Sequence, residues 1–140
     1  MTVVDASVWT SYLLPDDVNH DESRAWFARL PATEVMFAPM LLFVEIAAAL
    51  ARRTGRLDLV EHAVAVVRAD PRLTIQPMDD DLMEGAVKLA AELRLRAGDA
   101  IYVALASVTG TRLVSWDREQ RERSSARIVA SSPADDLRVN

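Results

Sequence analysis

Four acidic residues in this chain stand where a carboxylate needs a reason. Asp5 follows directly on the β-branched run Thr2-Val3-Val4. Glu45 interrupts the apolar stretch Leu41 to Leu50. Asp99 comes just after Gly98 at the head of an apolar segment, and Asp117 lies just beyond Arg112-Leu-Val-Ser115. Gathered in one cleft, four unpaired carboxylates would repel and raise one another's pKa values. Hard divalent cations that prefer oxygen, Mg²⁺ or Mn²⁺, remove that conflict. Carboxylate-only metal sites of this kind clamp phosphates and activate water. Each acid also has a structural reading. Asp5 and Asp99 suit helix N-caps, Asp117 with Gln120 suits a capping-box-like pair, and Glu45 could sit in a buried salt bridge or at an edge reaching solvent. On the residues alone both readings stay open.

Other chemistries find less support. The chain has no cysteine, which excludes disulfides, thiolate zinc sites and cysteine nucleophiles. His20 and His62 both lie outside the acidic motifs, and His20 reads as a surface residue at a helix start. Asp79-Asp80-Asp81 looks like a metal cluster, yet it directly precedes the amphipathic run Leu82 to Leu93, where acids cap a helix and favour its dipole.

The elements that must position the acids can be read in order. Thr2 to Val4 suits a strand buried on both faces, as in the middle of a parallel sheet. Helices are expected at Ser7 to Leu14, from an Asn19 cap to Leu30, at Met40 to Thr54 closed by Gly55, at Arg56 to Ala69, at Leu82 to Leu93, and from Asp99 to a stop at Gly110. Strands are expected at Glu34 to Ala38, Leu73 to Ile75 and Arg112 to Ser115, with Ile128-Val129 as a final edge strand. Strands alternating with helices argue an α/β fold: a three-layer α/β/α sandwich around a central, mainly parallel sheet of four to five strands, joined by right-handed crossovers. In such sheets ligands bind beyond the carboxyl ends of the strands, where the strand order reverses. Residues 1–130 are expected to form one domain and residues 131–140 a C-terminal tail.

The 140 residues are enough for a real core, and 51% are hydrophobic. The net charge of −5 argues against passive coating of nucleic acid or membrane, while leaving room for a local basic rim. Lys88 is the one lysine among 16 basic residues, so the basic side chains are nearly all the better phosphate clamp, arginine. Arg96 and Arg118, near Asp99 and Asp117, are the first candidates for such a rim. The opening residues lack a basic n-region and do not read as a signal peptide, and Glu45 breaks the longest apolar run. A soluble, cytoplasmic protein with no membrane association is expected.

Four segments together resemble the PIN-domain ribonucleases, and within them the VapC-type toxins of prokaryotic toxin–antitoxin pairs. They are Val4-Asp5-Ala6-Ser7, Ala38-Pro39 with Glu45 six residues after the proline, Gly98-Asp-Ala-Ile-Tyr-Val-Ala-Leu-Ala106, and Leu113-Val-Ser-Trp-Asp117. Each is weak alone; four in order from residue 3 to about residue 119 are specific. The resemblance implies a metal-dependent endoribonuclease in which Asp5, Glu45, Asp99 and Asp117 hold Mg²⁺ or Mn²⁺, with the Ser7 and Ser115 hydroxyls near the metals. It also implies an RNA substrate, a homodimer, and inhibition by a VapB-type antitoxin across the cleft. The chain departs from the family after Asp117, where an apolar residue usually pins the loop and Arg118-Glu-Gln-Arg-Glu-Arg123 stands instead. Rival α/β chemistries fit worse. A haloacid-dehalogenase-type phosphatase needs a second Asp two residues after its nucleophile, where this chain has Ser7. A receiver domain needs a lysine after a late strand, and Lys88 lies inside an expected helix. A non-catalytic PIN-like binding module would tend to have lost acids, and all four are kept here.

Overall fold

The computed structural model describes residues 1–139. Five strands form one parallel sheet: β1 (Thr2–Val4), β2 (Met36–Pro39), β3 (Leu73–Gln76), β4 (Arg112–Val114) and β5 (Ala130–Ser131), in the order β3-β2-β1-β4-β5. The β-branched run Thr2-Val-Val is the middle strand. Val3 and Val4 are fully buried, as a strand covered on both faces requires. The chain first runs outward from β1 through β2 to β3 and then returns to place β4 on the other side of β1. The reversal opens a crevice between the carboxyl ends of β1 and β4, the place where such sheets bind ligands.

Helices α1 (Ala6–Leu13), α2 (His20–Arg29), α3 (Leu41–Thr54), α4 (Leu57–Arg68), α5 (Asp80–Leu93) and α6 (Ala97–Thr109) flank the sheet. Helix α6 is almost wholly apolar from Ala100 to Ala106 and packs against β1, β2 and β4. Helix α1 packs on α2 and α3, and Phe27 is enclosed by Trp9, Tyr12 and Trp26 at centroid distances of 4.6, 4.8 and 5.0 Å. Gly55 and Gly110 close α3 and α6 in the left-handed region, at φ 65° and 63°, where a side chain would be strained. Asp79 caps α5 by accepting from the Leu82 N–H at 3.0 Å, as its position before the amphipathic run suggests. Among the described residues no helix is long and apolar enough to cross a membrane.

The last third departs from expectation in three places. Helix α6 begins at Ala97, so Asp99 lies inside its first turn; the N-cap is Arg96, whose carbonyl accepts from the Ala100 N–H at 2.9 Å. Residues 118–124, a polar stretch with a cap-like pair at Asp117 and Gln120 but no expected helix, form helix α7 (Arg118–Ser124). It is started by the Asp117 cap and supported by the i,i+4 pairs Arg118–Glu122 and Glu119–Arg123, with no broad apolar stripe. The last strand falls at 130–131, where Ala130 and Ser131 pair with Leu113 and Val114, two residues later than Ile128-Val129.

The expected tail is also corrected, apart from Asn140, which lies outside the described residues. Pro133–Val139 form helix α8, begun by a reciprocal capping box: the Ser132 N–H donates to Asp135 at 3.0 Å and the Asp135 N–H donates to the Ser132 hydroxyl at 3.1 Å. Asp136 then locks α8 down. It accepts from Trp26 Nε1 at 2.8 Å, from Arg112 Nη1 at 2.6 Å and from the Ser131 hydroxyl at 2.8 Å. Asp136→Ala should therefore cost about 1–3 kcal/mol in urea unfolding, because it strands the buried Trp26 indole N–H and removes the ion-pair partner of the partly exposed Arg112. A true tail would lose less than about 0.5 kcal/mol.

Candidate active site

Asp5 leaves the end of β1 and is 7% exposed. Its Oδ2 accepts from the Ser7 N–H at 2.8 Å and caps α1; its Oδ1 accepts from the Gln120 side chain at 3.3 Å. Burial pushes its carboxyl above the ordinary value, opposed by the Ser7 bond and reinforced by Asp99. Beyond β4, Asp117 caps α7 by accepting from the Gln120 N–H at 2.9 Å. The two serines stitch these strand ends together. The Ser7 hydroxyl accepts from the Trp116 N–H at 3.0 Å, the Ser115 hydroxyl accepts from the Asp117 N–H at 3.0 Å, and the two oxygens stand 3.4 Å apart. Ser115 is fully buried, while Ser7 reaches the cleft wall.

Asp99 and Glu45 complete the ring from the two helices flanking the crevice. Burial raises the Asp99 carboxyl, with Arg96 pulling it down and Asp117 and Glu119 pushing it up. Glu45 on α3 is raised to about 7, first by burial and then by Asp5 and Asp99, against one hydrogen bond from the Tyr102 hydroxyl at 2.7 Å. Among the described residues Glu45 has no basic partner, so it is neither in a salt bridge nor freely solvated. Gly98 makes room for it: a Cβ there would stand 3.0 Å from Glu45 Oε1.

The four acids thus converge on a single cleft of about 600 Å³, whose wall also includes Ser7, Arg96 and Trp116. Arg96 donates from Nε to Asp99 Oδ2 at 2.9 Å and from Nη2 to Asp117 Oδ2. Arg118 does not line the cleft; it pairs with Glu122 at the surface. His20 and His62 line a separate hollow beside α1 and α4. As the side chains lie, among the described residues no three acids stand together as a ready-made ion site. Glu45 is turned onto Tyr102, and Arg96 holds Asp99 and Asp117. The chemistry of the set still suits a hard divalent cation: carboxylate and hydroxyl oxygens only, three carboxyls raised by burial and mutual repulsion, and one guanidinium already drawn between two of them.

Two contributors, Tyr102 and Trp116, had no role in the sequence reading, and a third, Gln120, entered it only as the partner of the Asp117 cap. Tyr102 lies three residues after Asp99 on the same helix, a spacing that puts it on the same face. Gln120 is 1% exposed and bonds Asp5 and, at 3.4 Å, the Asp99 carbonyl, so a buried amide pins this loop where an apolar residue was expected. Trp116 is fixed by its indole N–H on the Ser23 hydroxyl at 2.8 Å and forms an aromatic wall of the cleft.

Comparison with known proteins agrees with this architecture. The family profile described as PIN domain matches residues 2–125. VapC20 of Mycobacterium tuberculosis, described as a sarcin–ricin-loop-cleaving toxin, superposes with a TM-score of 0.77 at 22% identity, over 92% of this chain and 97% of that one. VapBC2 of Rickettsia felis, solved bound to a DNA fragment from its promoter, gives 0.73 at 10% identity, over 94% and 97%. The FitAcB structure from Neisseria gonorrhoeae gives 0.70 at 15% identity, over 96% and 99%. At these identities the likeness speaks to the fold. No curated protein matches the chain by sequence.

The state of Glu45 has a measurable consequence. The folded protein keeps its proton up to about pH 7, whereas an unperturbed glutamate releases it near 4.5. Between those values the folded state binds more protons than the unfolded one. The stability contribution is therefore complete below pH 4.5 and is lost as the pH rises through 7. Glu45→Gln keeps an acceptor for Tyr102 and removes the charge. In EDTA its Tm should exceed the parent's by a few degrees, on the order of 1 kcal/mol, at pH 8, and the margin should shrink towards pH 5. A lower Tm at pH 8, or a margin independent of pH, would contradict this account of Glu45.

Proposed function

The chain belongs to the PIN-domain family, and we propose that it is a Mg²⁺- or Mn²⁺-dependent endoribonuclease, the toxin of a toxin–antitoxin pair. The observation that carries the reading is the gathering of Asp5, Glu45, Asp99 and Asp117 around the switch-point cleft, with three of them raised in pKa. Three raised carboxyls clustered in a cleft are a poor way to stabilise a fold and a good way to hold a cation. The same acids that cap helices serve the site, since Asp5 and Asp117 each commit one oxygen to a backbone N–H. Ser7, Ser115 and Gln120 position the Asp5 and Asp117 loops, Tyr102 and Gly98 position Glu45, and α6 carries Asp99.

A divalent cation held there would supply a bound water of lowered pKa and positive charge for the departing 3′-oxygen of an RNA phosphodiester. Among the described residues the cleft wall contains no histidine, so it offers no imidazole pair to drive the RNA 2′-hydroxyl onto phosphorus. The regulatory half of the proposal rests on the neighbours. Several are solved as toxin–antitoxin complexes, among them one from Klebsiella pneumoniae. A VapB-type antitoxin lying across the cleft of this chain would find Val44, 65% exposed on the wall, and an apolar groove continuing between α3 and α4.

Asp5→Asn separates capping from metal binding, because asparagine caps as well as aspartate. We expect unfolding free energy within about 1 kcal/mol of the parent's, Mn²⁺ affinity by calorimetry down at least about 10–100-fold, and RNA cleavage lost. Asp99→Asn, which has no cap to lose, should behave alike. Normal metal affinity in both would remove the site.

The products report on the chemistry independently. Fragments should carry a 5′-phosphate and a free 3′-hydroxyl, so that a ligase joins the 5′ ends without prior kinase treatment. A 2′-deoxy substitution at the scissile position should leave cleavage intact, and EDTA should abolish it. Cyclic phosphate ends, or cleavage in EDTA, would refute the mechanism.

A further inference from the structure

Arg96 is the one basic residue that the four acids hold in an ion pair among the described residues, and it takes a particular pair of oxygens. Asp117 has given Oδ1 to its helix cap, and Arg96 holds the remaining Oδ2; on Asp99 it likewise holds Oδ2. These are the oxygens a cation would need. The guanidinium is tethered at the N-cap of α6, its own side chain makes no cap bond, and it is 68% exposed while Asp99 and Asp117 are 19% and 26% exposed. Exposed pairs of this kind are weak, so the side chain can leave without unfolding anything. A divalent cation on the same two oxygens would also repel it at close range.

Once released, Arg96 has one obvious task. The cleft and the chain are both acidic, and an RNA phosphate approaching four carboxylates needs a cation to meet it. A guanidinium presents a fork of donors that matches two phosphate oxygens. We propose that Arg96 is an exchangeable counter-cation: it bridges Asp99 and Asp117 while the site lacks metal, is displaced when the divalent cation takes those oxygens, and then binds a phosphate of the RNA at the mouth of the cleft. The inference rests on the metal-dependent reading above and adds a residue-level exchange to it.

The exchange makes one substitution act in opposite directions on two ligands. Arg96→Ala should tighten Mn²⁺ binding to the full chain, measured by calorimetry without RNA, by about two- to tenfold, because a competing cation is gone. The same variant should lower the Tm in EDTA and enlarge the rise in Tm that Mn²⁺ produces. Binding of a phosphorothioate-protected RNA oligonucleotide in the presence of Mn²⁺ should weaken, and its log–log salt slope should fall by about 0.7, one phosphate contact to a single strand. Arg118→Ala, outside the cleft, should change none of these. Unchanged or weaker Mn²⁺ binding in Arg96→Ala would overturn the exchange, as would an unchanged RNA salt slope. If the parent itself bound no Mn²⁺, the metal-dependent reading would fall first and this inference with it.

Discussion

Everything around the cleft follows from placing a carboxylate at the end of the most buried strand. Asp5 emerges from β1, between β2 and β4, where Val3 and Val4 have no exposure at all. An ionised carboxyl is costly there unless something answers its charge. The Ser7 N–H and the Gln120 amide answer part of it. Asp99 adds to the cost instead, and Asp5 in turn helps to raise Glu45. The arrangement is one in which local stability is held down at a single cleft while the surrounding fold stays rigid, as functional sites commonly are.

The rigidity comes from two loops laced to each other. The Ser7 hydroxyl takes the Trp116 N–H, the Ser115 hydroxyl takes the Asp117 N–H, and the Asp5 N–H donates to the Val114 carbonyl at 3.0 Å. The strand ends on either side of the reversal point therefore hold one geometry. Glu45 and Asp99 arrive on long helices packed against the same core. No acid depends on a long flexible loop, which keeps the reorganisation needed to bind a cation down to a few side-chain rotations.

Much of this was legible in the sequence, and what was not has physical reasons. The β-branched opening run, the glycine stops at Gly55 and Gly110 and the alternation of strands and helices predict the sheet and put all four acids on its active edge. Cap and site were set against each other as rival readings for Asp5 and Asp117, and the structure shows that a carboxylate has oxygens enough for a cap and a cleft. The rival cap reading of Asp99 does not hold: a glycine before an acid resembles a helix start, while Arg96 three residues earlier is the cap. Helix α7 was missed because it is held by charge pairs and a buried glutamine, and an apolar period is the stronger signal. Helix α8 had a signal that went unread: Ser132-Pro-Ala-Asp135 is a capping box with proline at the first helical position. The contacts of Arg96, Tyr102 and Gln120 span 21, 57 and 115 residues, and no local pattern encodes them.

The central claim is that four acids from four elements form one cation site. Anomalous diffraction at the manganese edge from crystals grown with Mn²⁺ tests it most directly. The account predicts a peak within coordination distance of Asp5 and at least two of Glu45, Asp99 and Asp117, with the Arg96 guanidinium withdrawn from Asp99 and Asp117. A cleft without a manganese peak at saturating Mn²⁺, with Arg96 still bridging the two aspartates, would contradict it.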